Sequence, residues 1–150
     1  MKLLIKQACI TDPLSSRHGS IQDILIENGI IREISDVISE DADEIVDQKG
    51  LYISPGWVDI FSNFADPGYE FKETLETGAA AAAAGGFTDV FLIPDTYPVT
   101  DNKSQVERII HRNGSLPVTI NASSAVTKNL EGRHLTEMYD MQKNGAVAFT

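Results

Sequence analysis

Apolar and polar positions alternate through the first third of the chain, which is the pattern of β-strands. Residues 2–10 form one such run, and residues 23–34 form two runs separated by Asn28-Gly29. An Asn-Gly pair between two apolar runs favours a two-residue hairpin turn. A further strand pair is predicted on either side of Lys49-Gly50. We therefore expect residues 1–55 to form a small antiparallel β unit.

The pattern changes at Gly56, where predicted strands and helices begin to alternate. Strands are predicted near 56–64, 87–94, 117–123 and 146–150, and helices over roughly 72–84, 102–112 and 134–143. Residues 87–94 are apolar on both faces, as expected for a buried parallel strand. The β-α-β order predicts an α/β fold whose sheet is parallel and whose crossovers are right-handed.

Two architectures share this order of elements: a doubly wound sheet and the first part of a (β/α)8 TIM-type barrel. No Gly-x-Gly-x-x-Gly motif follows a strand, so the sequence gives no support for a dinucleotide-binding fold. A closed barrel takes about 250 residues, and residues 56–150 are far fewer. We therefore expect an incomplete barrel that is part of a larger protein.

The charge of the chain excludes two classes of partner. The 150 residues carry 22 acidic and 12 basic side chains, for a net charge of −10. Nucleic acids and anionic membranes are bound through clusters of Lys and Arg, so neither is an expected partner. Cys9 is the single cysteine, and no export signal is recognisable. These features favour a cytoplasmic location.

Residues 55–98 carry a specific resemblance to a known family. The matching elements are Pro55-Gly56, Asp59, Pro67-Gly68, Glu73, Gly85-Gly86-Phe87-Thr88 and Pro94-x-Thr96-x-Pro98. In this order and at these spacings they resemble the first strand, first helix and second strand of dihydroorotases, which are cyclic amidohydrolases of the amidohydrolase superfamily. The β unit of residues 1–55 is similar to the N-terminal portion of the small antiparallel β-sandwich of that family. The final GAVAFT resembles the strand that leads into an aspartate ligand of that family.

The resemblance implies a barrel that carries its chemistry at the carboxyl ends of its strands. In that family one or two divalent metals, typically zinc, activate water for attack on a cyclic amide, which interconverts carbamoyl aspartate and dihydroorotate in pyrimidine biosynthesis. Two histidines of the first strand bind the metal. An arginine that follows them binds the substrate carboxylate, and an asparagine after the second strand also holds the substrate.

All four of these positions depart from the family pattern here. Phe61 and Asn63 replace the histidines, Ala65 replaces the arginine, and Asp95 replaces the asparagine. Phe61 has no lone pair, and the amide oxygen of Asn63 is a poor zinc ligand. Asp95 would repel an anionic substrate. We therefore expect no catalytic residue, no metal ligand, no cofactor and no functional substrate clamp, with Phe61 packed inward to plug the site.

Other residues with reactive side chains do not restore the site. His18, His111 and His134 fall in a turn or near helix ends, so we expect surface or capping roles for all three. Asp59 and Asp66 resemble an acid–base pair only superficially. Asp59 is expected to stabilise the entry to the first barrel strand, and Asp66 to form a turn with Pro67.

Three functions remain open at this level. The favoured one is a non-catalytic dihydroorotase homologue kept as a structural subunit, a role in which relatives accompany aspartate transcarbamoylase. The second is an active metal-dependent dihydroorotase whose ligands follow Thr150. The third is a metal-free interaction module similar to the dihydropyrimidinase-related proteins. A homo- or hetero-oligomer is expected.

Overall fold

The computed structural model describes residues 1–150 as two compact units, Met1–Pro55 and Gly56–Thr150. The first unit is one five-stranded sheet, built from β1 (Lys2–Ile10), β2 (Ile21–Glu27), β3 (Ile30–Ser35), β4 (Glu44–Asp47) and β5 (Tyr52–Ile53). The first three strands pair antiparallel, and the hairpin between β2 and β3 turns at Asn28-Gly29, as predicted.

The last two strands of this unit differ from the sequence-based prediction. β4 pairs parallel with Leu3–Lys6, and β5 pairs parallel with Cys9 and Ile10. The predicted pairing of two strands around Lys49-Gly50 is therefore wrong, and the sheet is mixed rather than wholly antiparallel. The physical reason is that the nine-residue β1 has a free edge long enough to accept both short strands one after the other.

A buried carboxylate organises the centre of this sheet. Asp23 is 1% exposed and accepts hydrogen bonds from the backbone N–H of Gln7 at 2.9 Å and of Ile38 at 3.0 Å. Gln7 has a φ of 51° and lies where the register of β1 and β2 shifts. Asp23 thus holds a bulge in β1 and anchors the segment that follows β3.

The second unit alternates strands and helices. Its elements are β6 (Trp57–Ser62), α1 (Leu75–Ala84), β7 (Phe87–Leu92), α2 (Lys103–Ile110), β8 (Thr119–Ser124), α3 (Met138–Lys143) and β9 (Ala146–Phe149). The strands lie in the order β6-β7-β8-β9 and every neighbouring pair is parallel. The predicted α/β class and parallel sheet are confirmed. No helix is both long and apolar enough to span a membrane.

Helix α3 begins four residues later than the predicted start at 134. Leu135 forms an isolated antiparallel bridge with Thr127, and the Thr136 hydroxyl donates to the Ala125 carbonyl at 2.8 Å. These contacts hold the backbone ahead of Met138 in a non-helical path. At residues 134–137, tertiary hydrogen bonds therefore override the helical tendency of the local sequence.

The helices cover one face of the parallel sheet. Val90 and Ile120 are paired across β7 and β8 and belong to the buried core formed with the helices. Asp89 pairs with Val58 on one side and Thr119 on the other, so these three residues share the opposite face. That face is open, and Val58 is 53% exposed on it.

Candidate functional site

The four positions that depart from the dihydroorotase pattern come together at the carboxyl end of the parallel sheet. Asn63, Ala65 and Asp95 line one cavity of about 470 Å³. Phe61 and Asp95 line a neighbouring cavity of about 410 Å³ that also includes Thr150. The loops after β6 and β7 therefore bring residues 30 and more positions apart to a single place. The sequence-based grouping of these residues corresponds to a real spatial cluster.

Asn63 uses its side-chain oxygen within its own turn. The Asn63 Oδ1 accepts the backbone N–H of Ala65 at 3.0 Å, and Ala65 has a φ of 59°. This oxygen therefore stabilises a residue in the left-handed conformation.

The residues at the two histidine positions do not fit the zinc ion that the resemblance implies. Zinc takes imidazole nitrogen, thiolate or carboxylate ligands. Phe61 offers only a phenyl ring, and the oxygen of Asn63 is a neutral amide already held by Ala65. No group of three or more His, Cys, Asp or Glu side chains in residues 1–150 is arranged to hold a metal ion.

Phe61 is not packed inward as a plug. Its side chain is 71% exposed, and it lines both the cavity shared with Asp95 and a third cavity of about 310 Å³ shared with Asn63. The expectation of a buried Phe61 is wrong because the helices cover only one face of the four-stranded sheet. The ring forms part of the cavity wall.

Asp59 stabilises the end of β6. Its carboxylate accepts the backbone N–H of Phe61 at 2.9 Å and the hydroxyl of Ser62 at 2.7 Å. The register of β6 and β7 shifts between Asp59 and Ser62. The carboxylate thus satisfies groups that the irregular strand leaves unpaired. Its role is structural, but it acts at the end of β6 rather than at the entry predicted from the sequence.

Asp66 connects the loop after β6 to two helices. It is 8% exposed and accepts the backbone N–H of Leu75, the first residue of α1, at 3.2 Å. It also accepts a hydrogen bond from the Arg108 guanidinium of α2 at 3.0 Å. The sequence suggested only a turn here, because nothing local indicates a partner 42 positions away.

The loops after β6 and β7 pack directly on each other. The backbone N–H of Tyr97 donates to the Pro67 carbonyl at 2.9 Å. Gly68 has a φ of +98°, and a Cβ at this position would lie 2.1 Å from the Tyr97 carbonyl oxygen. The Gly68 N–H donates to Glu70 at 2.9 Å, which holds the pKa of that carboxyl below its ordinary value. This packing fixes the loop that carries Asp95.

The cavity that contains Asp95 also holds residues that sequence reasoning did not single out as site residues. Tyr69, Lys72 and Glu73 complete its lining. The Lys72 ammonium lies 4.9 Å from the centre of the Tyr69 ring, and Glu73 accepts the hydroxyl of Thr77. Glu73 belongs to the matched motif, and Tyr69 and Lys72 lie between it and Pro67-Gly68. This position within the motif was the signal in the sequence.

The three histidines have the surface positions expected of them. His18, His111 and His134 are all exposed, and His111 is the C-terminal capping residue of α2. None of the three lines the cavities at the carboxyl end of the sheet.

Comparison with known proteins gives a consistent family assignment. A family model described as dihydro-orotase-like matches residues 50–150. A dihydroorotase of Syntrophus aciditrophicus is 38% identical over 153 residues, and the match covers all of this chain and 36% of that protein. A dihydroorotase of Carboxydothermus hydrogenoformans is 41% identical over 152 residues, covering all of this chain and 35% of that protein. The chain thus spans about a third of the length of these relatives.

Solved structures support the same fold. The L-hydantoinase (dihydropyrimidinase) from Arthrobacter aurescens superposes with a TM-score of 0.77 at 26% identity, covering 98% of this chain and 32% of that one. A dihydroorotase crystal structure gives a TM-score of 0.70 at 14% identity, covering 99% of this chain and 41% of that one. The predicted fold class, with the first part of a TIM-type barrel, is confirmed.

Proposed function

The chain belongs to the dihydro-orotase-like family, and from that premise we propose that it is a non-catalytic dihydroorotase homologue that serves as a structural subunit in pyrimidine biosynthesis. The proposal rests on one observation, the cluster of four residues at the carboxyl end of the sheet: Phe61, Asn63, Ala65 and Asp95. Barrel enzymes place their chemistry at this end. The substitutions are therefore concentrated where an active relative needs its functional groups.

Water activation in this family depends on the metal ligands. A metal-dependent hydrolase lowers the pKa of a bound water by holding the metal with several protein ligands. The residues at positions 61 and 63 do not fit zinc, because one is a phenyl ring and the other an amide whose oxygen is already bound to Ala65. Two ligands of the family pattern are thus missing together.

Substrate binding depends on the side chains at positions 65 and 95. Ala65 has no hydrogen-bonding side chain, and Asp95 lines the cavity with a carboxylate that has no hydrogen-bond or ion-pair partner. Two like charges about 4 Å apart repel by roughly 1 kcal/mol in water and by about 4 kcal/mol at an effective dielectric constant of 20. The substrates of the family are carboxylates, so their binding is disfavoured here.

The contacts that support this end of the sheet are intact. Asp59 completes β6, Asp66 joins two helices, and Gly68 packs against Tyr97. The supporting contacts are intact, although the reactive positions differ together from the family pattern. This combination is best explained by a surface that still has a function. We propose assembly with aspartate transcarbamoylase as that use, in a cytoplasmic homo- or hetero-oligomer.

The test compares the complete polypeptide that contains these residues with a quadruple variant, Phe61→His, Asn63→His, Ala65→Arg and Asp95→Asn. The unmodified protein should hydrolyse no dihydroorotate above background, and the quadruple variant should gain zinc and measurable turnover. The double variant Phe61→His, Asn63→His is the matched control, since it should gain metal without the substrate clamp. Substantial turnover by the unmodified protein would overturn the proposal.

The structural role requires a separate test. The tagged complete polypeptide, expressed at its natural level in its own organism, should co-purify with aspartate transcarbamoylase. Light scattering on the same preparation should give a mass above that of a monomer. A monomer without any bound transcarbamoylase would contradict the structural role while leaving the predicted loss of catalysis unaffected.

A further inference from the structure

A single cavity at the carboxyl end of the sheet carries both signs of charge. We call it the Asp95 cavity, and it is lined by Asn63, Ala65, Tyr69, Lys72, Glu73 and Asp95. Its volume is about 470 Å³, which is within the range of roughly 300–1,000 Å³ that small-molecule sites occupy. The absence of a long side chain at Ala65 helps to leave this space open.

The charges of Asp95 and Lys72 do not neutralise each other. Asp95 makes no ion pair and no hydrogen bond, and no ion pair joins it to Lys72 although both line the cavity. The Lys72 ammonium instead lies over the rings of Tyr69 and Phe71, at 4.9 Å and 5.7 Å from their centres. The cavity therefore presents a free carboxylate and a cation whose hydrogen-bond donors are unused.

Asn63 adds neutral donors to the same wall. Its Oδ1 is held by the N–H of Ala65, which fixes the orientation of the amide. The amide nitrogen makes no hydrogen bond within the protein, so its two N–H groups are available to an acceptor. On the acidic side, Glu73 keeps acceptor capacity beyond its bond with the Thr77 hydroxyl.

We propose that the Asp95 cavity binds a small zwitterion, an α-amino acid, whose ammonium group pairs with Asp95 and whose carboxylate pairs with Lys72 and the amide of Asn63. A zwitterion pairs with both Asp95 and Lys72, whereas a purely anionic ligand would face the like charges of Asp95 and Glu73. Charge-assisted hydrogen bonds of this kind are about twice as strong as neutral ones. The inference rests on the proposed loss of catalysis, since an active site of the family would need this space for its substrate.

The experiment is calorimetric titration of the complete polypeptide with three probes. L-alanine carries both charges, its methyl ester carries only the ammonium group, and N-acetyl-L-alanine carries only the carboxylate. L-alanine should bind at least tenfold more tightly than either of the other two. Asp95→Asn should weaken the binding of L-alanine at least tenfold. Lys72→Gln should also weaken the binding of L-alanine, but the methyl ester, which carries only a positive charge, should bind no more weakly than to the unmodified protein.

The control variant is Glu137→Gln, which removes one negative charge from an exposed position that lines none of the cavities. It should bind L-alanine as the unmodified protein does. Failure of L-alanine to bind at millimolar concentration, or binding unchanged in Asp95→Asn, would overturn the inference. Dihydroorotate turnover is measured on the same preparations. Failure of amino-acid binding and failure of the proposed function can then be distinguished, because the first appears in the titration and the second as turnover.

Discussion

Asp66 and Arg108 form an ion pair of 3.0 Å that joins the loop after β6 to helix α2, although 42 positions separate them in the sequence. The same carboxylate accepts the first N–H of α1. The side chain of Asp66 is only 10% exposed, whereas that of Arg108 is 49% exposed. This one pair therefore fixes the loop that leads from the first barrel strand towards the Asp95 cavity.

Removing either partner of this pair should destabilise the fold. Because the carboxylate of Asp66 is nearly buried, Arg108→Ala should lower the free energy of unfolding by about 1 kcal/mol or somewhat more. Asp66→Ala should cost more, since the N–H of Leu75 also loses its acceptor. Urea unfolding measures the loss of unfolding free energy in both variants. The control is Arg133→Ala, which changes an exposed arginine without a partner. A double-mutant cycle that shows strict additivity would contradict the coupling.

The stability of the first unit should depend on the charge of Asp23. Burial by itself raises the pKa of Asp23, but the hydrogen bonds from Ile38 and Gln7 favour the charged form, and the pKa lies below its ordinary value. A lowered folded-state pKa means that the contribution is complete above the ordinary Asp pKa of about 3.9 and is lost as pH falls through the folded-state pKa.

The matched variant for this effect is Asp23→Asn, which keeps the shape and removes the charge. It should be less stable than the unmodified protein at pH 7, with faster hydrogen exchange at the amides of Gln7 and Ile38. The difference in unfolding free energy should shrink as pH falls below about 4. A difference that stays constant from pH 7 to pH 3 would show that the charge of Asp23 is not involved.

Gly78 allows helix α1 to lie against Phe64. A Cβ at this position would be 2.5 Å from the Phe64 ring, closer than side chains pack. Gly78→Ala should gain about 1 kcal/mol of helix propensity, but overpacking costs about 1–3 kcal/mol. The steric clash should outweigh the gain in helix propensity, so the urea concentration at the midpoint of unfolding should fall. Gly114→Ala, with nothing within 4 Å of the added Cβ, should leave the midpoint nearly unchanged.

The metal content should not depend on Asn63. Elemental analysis of the complete polypeptide, purified without chelator, should give the same zinc content before and after Asn63→Ala. That change removes the hydrogen bond to Ala65, and it should lower stability by about 1 kcal/mol. Stoichiometric zinc that disappears with Asn63→Ala would show that the amide is a ligand after all.

The sequence alone determined the features that depend on local pattern. The Asn28-Gly29 hairpin, the parallel order of β6 to β9 and the positions of α1 and α2 follow from periodicity, turn residues and caps within short windows. The resemblance also singled out Phe61, Asn63, Ala65 and Asp95, because they stand at fixed places in an ordered motif, and their loss of function stays a prediction.

The tertiary structure decided the features that depend on distant partners. β4 and β5 both pair with β1, a choice set by the length of its free edge rather than by their own residues. Phe61 is exposed because only one face of its sheet is covered by helices. Local periodicity determines which positions face the same way, but not which chain segment covers them. The pairing of Asp66 with Arg108, and the meeting of Lys72 and Asp95 in one cavity, require loops from different strands to converge, and only the folded chain brings them together.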